Sequence, residues 1–189
     1  MRHLLLLSVF CLLVLVSGCG DDFMDHPAMT AKVNGRDFTA CTNLEGKIPT
    51  PTLPKNNLEV LYDATSGQLV IKGTDSCQDS IKTIHLDIRE VFAPGSYPIR
   101  HQSKLYYNLD NTPGNGAGSN AALQFLGRHP QNSAGLFSTQ PNTHTGTFTL
   151  TAFDLEKRRF SADFDLQVYD ARANKAYHIT QGRLRDVSF

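Results

Sequence analysis

The 189-residue chain contains no tryptophan, and its 18 basic side chains balance 18 acidic ones. Because a charge-balanced chain has no basic footprint for phosphates, we expect no nucleic-acid partner. Tryptophan offers the largest ring face for stacking on a sugar, so a glycan site here would have to use smaller rings. The candidates are Tyr106, Tyr107, Phe137 and Phe153. We expect core packing or loop anchoring to be the role of each.

The sequence also lacks the motifs that carry common catalytic and metal chemistry. It has no Gly-x-Ser-x-Gly turn, no phosphate-binding glycine loop, no His-Glu-x-x-His pair and no EF-hand loop. The histidines are scattered, and His85 lies on the polar face of a predicted strand, where we expect it to be solvated. Asp163 and Asp165 share one strand face, which we interpret as a solvent face rather than a catalytic carboxylate pair. We therefore predict a non-enzymatic domain with no cofactor and no metal ion.

Helical periodicity is missing too, because no stretch repeats apolar residues at 3.6-residue spacing over three turns. Apolar and polar residues alternate instead, most clearly in segments 84–88 and 160–168. Asn34-Gly35 predicts a two-residue hairpin turn, and Gly182 interrupts the last strand in a way that predicts a bulge. The predicted fold is an all-β domain, either an antiparallel β-sandwich or a closed barrel of about eight to ten strands.

The N-terminus is the most distinctive part of the chain. Arg2 supplies a positive charge, and residues 4–16 form a single apolar run. The run is too short to span a bilayer as a helix, and this layout is typical of a secretory signal. No second apolar run of membrane length follows it.

The next feature is the four residues Val16-Ser17-Gly18-Cys19, which resemble the lipobox of bacterial lipoproteins. The resemblance implies that the signal is removed before Cys19 and that this cysteine becomes the acylated N-terminus. An ordinary secretory signal with a chance cysteine is the alternative. Because more than one acyl chain gives stable anchoring, we divide the chain into a signal peptide (1–18), a lipidated N-terminus with a flexible tether (19–29), and a β-domain (30–189).

The residues after the cysteine carry a finer expectation about location. Asp21 and Asp22 are similar to the acidic export signal that follows the lipidated cysteine in surface-exposed lipoproteins of Bacteroidota-type bacteria. A solvated acidic linker is the alternative. Gly20 resembles the outer-membrane rather than the inner-membrane sorting pattern. We therefore expect the protein to be lipid-anchored at the bacterial outer membrane, with exposure on the cell surface as the finer hypothesis.

The cysteine count predicts one disulfide. Of the four cysteines, Cys11 leaves with the signal and Cys19 is acylated, so Cys41 and Cys77 remain. An oxidising compartment favours a disulfide between them. Two free thiols or a metal site are the alternative, which neither a Cys-x-x-Cys spacing nor a nearby histidine supports.

Motifs along the β-domain resemble a family of uncharacterised lipoproteins from Bacteroidota-type bacteria. The resemblance covers segments 29–38, 94–97, 146–154, 159–164 and 179–184. Where this family usually has glycine in a Ser-Gly-x-Phe step, the present chain has Ala162. The matching residues are turn glycines and alternating strand residues, so the resemblance implies a β-rich lipoprotein and no known activity.

Three functions follow as hypotheses. The first, which we favour, is a lipid-anchored, non-enzymatic β-domain for envelope interaction or structure, with a protein or glycan partner. The second is a barrel-type carrier of a small apolar ligand or glycan, which requires an interior cavity. The third is an anchored inhibitor of an envelope-directed hydrolase such as lysozyme.

Overall fold

The computed structural model describes residues 28–41, 57–77, 80–103, 118–126, 135–170 and 174–189. These residues form eleven strands and no helix. The strands are β1 (Met29–Val33), β2 (Arg36–Thr39), β3 (Leu58–Asp63), β4 (Gln68–Asp75), β5 (Ile81–Ile88), β6 (Gly95–Ile99), β7 (Asn120–Leu126), β8 (Gly135–Ser138), β9 (Gly146–Asp154), β10 (Arg159–Asp170) and β11 (Lys175–Ser188). Every pair of neighbouring strands is antiparallel. The all-β antiparallel prediction is confirmed, with slightly more strands than expected.

The sheet is a curled half-barrel in which nine strands follow the order β2-β1-β11-β10-β8-β7-β5-β4-β3. The long strand β10 divides the sheet. Its first part pairs with β9, from Arg159 opposite Asp154 to Leu166 opposite Gly146. Its far end pairs with β8 through Tyr169 and Ser138. β6 continues the branch beyond β9, so the sheet forks along a single strand.

The two ends of the curled sheet meet at a contact between Cys41, which follows β2, and the end of β4. The Cys41 N–H donates to the Thr74 carbonyl at 3.1 Å, and the Ser76 N–H donates to the Cys41 carbonyl at 3.1 Å. Nearby, Gly73 leaves the room that the Met29 side chain fills. We call this set of residues the closing corner. It joins strands that lie far apart in the order of the sheet.

The domain begins one residue earlier than the sequence suggested. Met29, which we assigned to the tether, is the first residue of β1 and is fully buried. It pairs with Leu184 of β11. Its apolar side chain is therefore part of the core, and the assignment of Met29 to the tether is wrong.

The Asn34-Gly35 turn forms as predicted. Asn34 and Gly35 have φ values of 49° and 78°, the positive values that this class of two-residue hairpin turn needs. The turn is also docked on β11, because the His178 N–H donates to Asn34 Oδ1 at 2.7 Å and the Asn34 N–H donates to the His178 carbonyl at 2.8 Å. A local turn signal thus also fixes a long-range contact.

The predicted bulge near Gly182 is present in β11. Ile179 lies opposite Leu166 and Gly182 opposite Phe164, so β11 has one residue more than β10 in this interval. Gln181 takes a φ of 52°, and its N–H donates to Asp165 Oδ1 at 2.9 Å. A Cβ atom at position 182 would overlap the Phe164 ring. Glycine is therefore required here for close packing.

The interior of the described domain is one continuous apolar cluster. Its largest fully buried side chains are Phe38, Phe148, Phe160, Phe164, Met29, Leu69, Ile71, Ile84, Leu86, Ile88, Ile99 and Leu123. The inner faces of strands from both ends of the sheet contribute to it. These side chains form one cluster on the inner side of the curled sheet.

We predict that Gly182→Ala lowers the free energy of unfolding by about 1–3 kcal/mol, because the added methyl group overpacks the buried Phe164 ring. Gly95→Ala is the matched control. A Cβ at Gly95 would approach Tyr97 no closer than 3.9 Å, so we expect a change within about 0.5 kcal/mol. Urea unfolding of both variants measures the difference. Equal stability of the two variants would contradict the packing argument.

Candidate functional site

Several residues singled out from the sequence lie outside the described residues. They are Cys19, Asp21, Asp22, Tyr106 and Tyr107. The other two aromatic candidates, Phe137 and Phe153, are among the described residues and pack against the core. The Phe137 ring is buried, with its centroid 4.5 Å from that of Tyr177. The Phe153 ring lies 5.3 Å from that of Tyr62. Both rings have the packing role that we expected.

The predicted disulfide between Cys41 and Cys77 is present at the closing corner. The two Cα atoms are 5.9 Å apart, and 36 positions separate the residues in sequence. On the chain-entropy model, closing a loop of this length stabilises the fold by about 4 kcal/mol. Because Cys41 also forms the backbone contact with β4, the covalent bond and the sheet closure reinforce each other.

Asp75 is buried beside the disulfide. Its Oδ1 atom accepts a hydrogen bond from the Cys77 N–H at 3.1 Å and lies 3.7 Å from Cys41 Sγ. Donor atoms of Cys41, Asp75 and Cys77 all lie within 4.8 Å of one another, a grouping that metal sites use. In the disulfide form the two sulfurs are bonded to each other and are not thiolate ligands. The observed role of the Asp75 side chain is therefore to accept a hydrogen bond from the backbone N–H of Cys77.

The main polar assembly lies on the outer face of strands β4, β5 and β7. We call it the outer polar cluster, and its members are Gln68, Lys72, His85, Asp87, Arg89 and Asn120. Asp87 is its centre. The Asp87 carboxylate accepts hydrogen bonds from Gln68 Nε2 at 2.9 Å, from Arg89 Nη2 at 2.9 Å and from Asn120 Nδ2 at 3.3 Å. The donors come from both neighbouring strands and from the residue that follows β5, so the cluster fixes these strands relative to one another.

His85 is buried in this cluster, which corrects the expectation of a solvated side chain. Only 8% of the residue is exposed, although it lies on the polar face of β5 as predicted. Burial lowers the pKa of His85 to about 4, the Lys72 charge acts in the same direction, and a hydrogen bond with Gln124 opposes them. The imidazole is therefore neutral at pH 7. The sequence pattern gave the face correctly but not the solvent exposure of that face.

Asp163 and Asp165 lie on the outer face of β10, and each contacts a different neighbour. Asp163 forms an ion pair with Arg185, and its side chain is half exposed. Asp165 accepts the Gln181 N–H at the bulge. The two carboxylates thus make separate contacts with β11.

Sequence reasoning missed a group of aromatic side chains where β3 meets β9 and the end of β11. We call it the aromatic corner: Tyr62, Phe153 and Phe189, with ring centroids 5.1–5.6 Å apart. Two large apolar side chains, Phe92 and Leu155, are exposed nearby, at 56% and 52%. The sequence offered one signal for this apolar surface, which is Leu155 in the otherwise polar turn that follows β9.

Comparison with protein-family models, with curated proteins and with solved structures gave no match for this chain. Among the described residues, no helix has the length and apolar character needed to cross a membrane. The family resemblance noted from the sequence motifs therefore stays a prediction.

The lowered pKa of His85 predicts a pH dependence of stability. The unfolded chain binds a proton at this histidine below about pH 6.5, whereas the folded chain does so only near pH 4. The contribution of His85 to the free energy of unfolding is therefore fully present above pH 6.5, and it is lost as the pH is lowered towards 4. We expect a loss of about 3 kcal/mol from this group.

Urea unfolding between pH 4 and pH 7 tests this expectation, with His85→Gln as the variant that removes the titrating group. As the pH is lowered from 7 to 4, the free energy of unfolding should fall more for wild type than for His85→Gln. The exposed His178 provides the matched control, since His178→Gln should leave the wild-type pH dependence in place. A wild-type pH dependence that survives in His85→Gln would show that another group is responsible.

Proposed function

We propose that this protein is a lipid-anchored lipoprotein of the bacterial outer membrane whose non-enzymatic β-domain serves envelope interaction or structure. The observation that carries the proposal is the sequence Val16-Ser17-Gly18-Cys19 at the end of a signal-length apolar run. The lipid anchor follows from that resemblance. Membership of the uncharacterised lipoprotein family is part of the same proposal.

The spacing between Cys19 and the folded domain supports this proposal. Ala28, the first described residue, accepts a hydrogen bond from the Arg185 N–H at 3.1 Å and lies directly before β1. Nine peptide steps separate Cys19 from Ala28, which reach at most about 30 Å when fully extended. A lipid on Cys19 would therefore hold the domain close to the membrane.

The role of the β-domain is inferred from the chemistry of its polar residues. The Asp87 carboxylate is engaged by protein donors, and Asp163 and Asp165 make separate contacts with β11. These arrangements favour a binding or structural domain over an enzyme. The carrier hypothesis, which requires an interior cavity, stays a prediction. The inhibitor hypothesis stays a prediction.

Lipidation at Cys19 is tested by feeding a palmitate analogue to cells that express the full chain. We expect wild type to take up the label and Cys19→Ser to lose it, because the thiol that would be acylated is gone. Cys11→Ser is the matched control, since Cys11 lies within the predicted signal peptide and its loss should leave labelling intact. Labelling of Cys19→Ser at the wild-type level would refute the anchor.

Surface exposure is tested by protease treatment of intact cells. If Asp21 and Asp22 form an export signal, wild type should be digested, whereas the double variant Asp21→Ala/Asp22→Ala should be protected. Asp25→Ala removes one further acid from the same tether and should behave as wild type. Protection of the wild-type domain would limit the proposal to a domain that faces the periplasm.

A further inference from the structure

We propose that the end of the domain that bears the aromatic corner contacts the lipid surface, with Leu155 and Phe92 as the inserting side chains. The inference deepens the proposed function, because it depends on an anchor at Cys19. It identifies which surface of the domain faces the bilayer.

The first observation concerns the direction in which the tether leaves the domain. β1 and β11 are antiparallel, and Met29 lies opposite Leu184. Ala28 therefore lies at the end of β1 towards which β11 runs. Just beyond this point, the Phe189 N–H donates to the Arg158 carbonyl at 3.1 Å, which places the β9–β10 turn at the same end. The tether and this turn thus leave the domain on one side.

The second observation is the distribution of exposed apolar side chains. Leu155 follows Phe153 by two residues, and Phe153 belongs to the aromatic corner. Phe92 follows Val91, whose carbonyl accepts the Tyr62 hydroxyl at 2.8 Å. Three large hydrophobic residues of the described chain are exposed, and Phe92 and Leu155 are each close in sequence to a residue that forms or contacts this corner. The third, Leu61, precedes Tyr62 on the outer face of β3.

The β9–β10 turn is defined by features that do not involve the Leu155 side chain. In the β9–β10 turn, the Lys157 N–H donates to Asp154 Oδ1 at 2.9 Å, and Arg158 takes a φ of 54°. With 52% of its surface exposed, the Leu155 side chain is available for a contact outside the domain.

Phe92 packs partly against its own domain. Its ring lies against Gly67, where a Cβ atom would come within 2.7 Å of Phe92 Cζ. The adjacent Val91 N–H donates to the Gly67 carbonyl at 2.8 Å. Because part of the ring already packs against the backbone at Gly67, insertion into an apolar phase would cost less conformational entropy than for a fully free side chain.

Both acidic and basic side chains lie around Leu155, since Asp154 and Glu156 flank it and Lys157 and Arg158 follow. The Lys157 side chain is 78% exposed, and the Arg158 guanidinium lies 6.0 Å from the centre of the Phe189 ring. Basic side chains beside apolar ones are typical of interfacial segments. Lys157 is paired with Asp154 and Arg159 with Asp186, so we expect apolar insertion rather than net charge to dominate.

A weak contact is sufficient in this arrangement. A tether of about 30 Å confines the domain to the membrane surface, where its effective concentration is on the order of millimolar. The free energy gained by inserting two side chains then has to exceed only the entropy that the domain loses when it stops rotating about its tether. The same contact would be negligible for an unanchored domain in dilute solution.

The test uses the lipidated full chain reconstituted in phosphatidylcholine vesicles. Leu155→Cys and Phe92→Cys each add one free thiol, which is labelled with an environment-sensitive fluorophore. Lys175→Cys is the matched control, because this exposed position begins β11 at its opposite end. We expect a quencher carried on the lipid chains to suppress fluorescence at positions 155 and 92, and to leave position 175 unchanged.

Two outcomes would overturn the proposal in different ways. Equal quenching at all three positions, or none at 155 and 92, in protein that floats with the vesicles would overturn the lipid contact alone. Failure of the unlabelled chain to float with the vesicles would overturn the anchor and this contact together. Adding phosphatidylglycerol should change the quenching only slightly, and quenching that requires the anionic lipid would overturn insertion as the main interaction.

Discussion

The backbone contact of Cys41 with Thr74 and Ser76 is the constraint on which the closed form of this domain depends. It brings the end of β2 against the end of β4, strands that stand at opposite sides of the sheet order. Met29 fills the space left by Gly73 beside it, and the disulfide to Cys77 makes the junction covalent. The closing corner covers one side of the continuous apolar core, so contact between these strand ends helps to enclose the core. Burial of the apolar inner faces, the main source of stability, therefore depends on a few polar backbone groups.

The features that we predicted correctly from the sequence are those that depend on only a few adjacent residues. The positive φ values of a hairpin turn need Asn34-Gly35, and alternating side chains define strands such as β10 wherever they occur. The bulge near Gly182 is local in the same sense. The disulfide followed from counting, because the predicted signal peptide and the predicted acylation would leave only two cysteines to pair.

The features that the sequence did not predict arise from contacts between distant segments. Nothing near His85 indicates that the polar face of β5 is covered, because its burial depends on β4, β7 and their long side chains. The division of β10 between β9 and β8, and the meeting of Tyr62 with Phe153 and Phe189, are likewise properties of the assembled sheet. The placement of Met29 inside the core has the same origin, since its partner Leu184 lies near the other end of the chain.

The pairing of β1 with β11 has a consequence for the order in which the molecule is made. A chain that emerges with its N-terminus first, from a ribosome or through a membrane channel, presents β1 and β2 long before β11 exists. The bond between Asn34 and the His178 N–H spans 144 positions, so the hairpin must wait for nearly the whole chain. Until then the free edge of β1 offers unpaired backbone groups to any other strand.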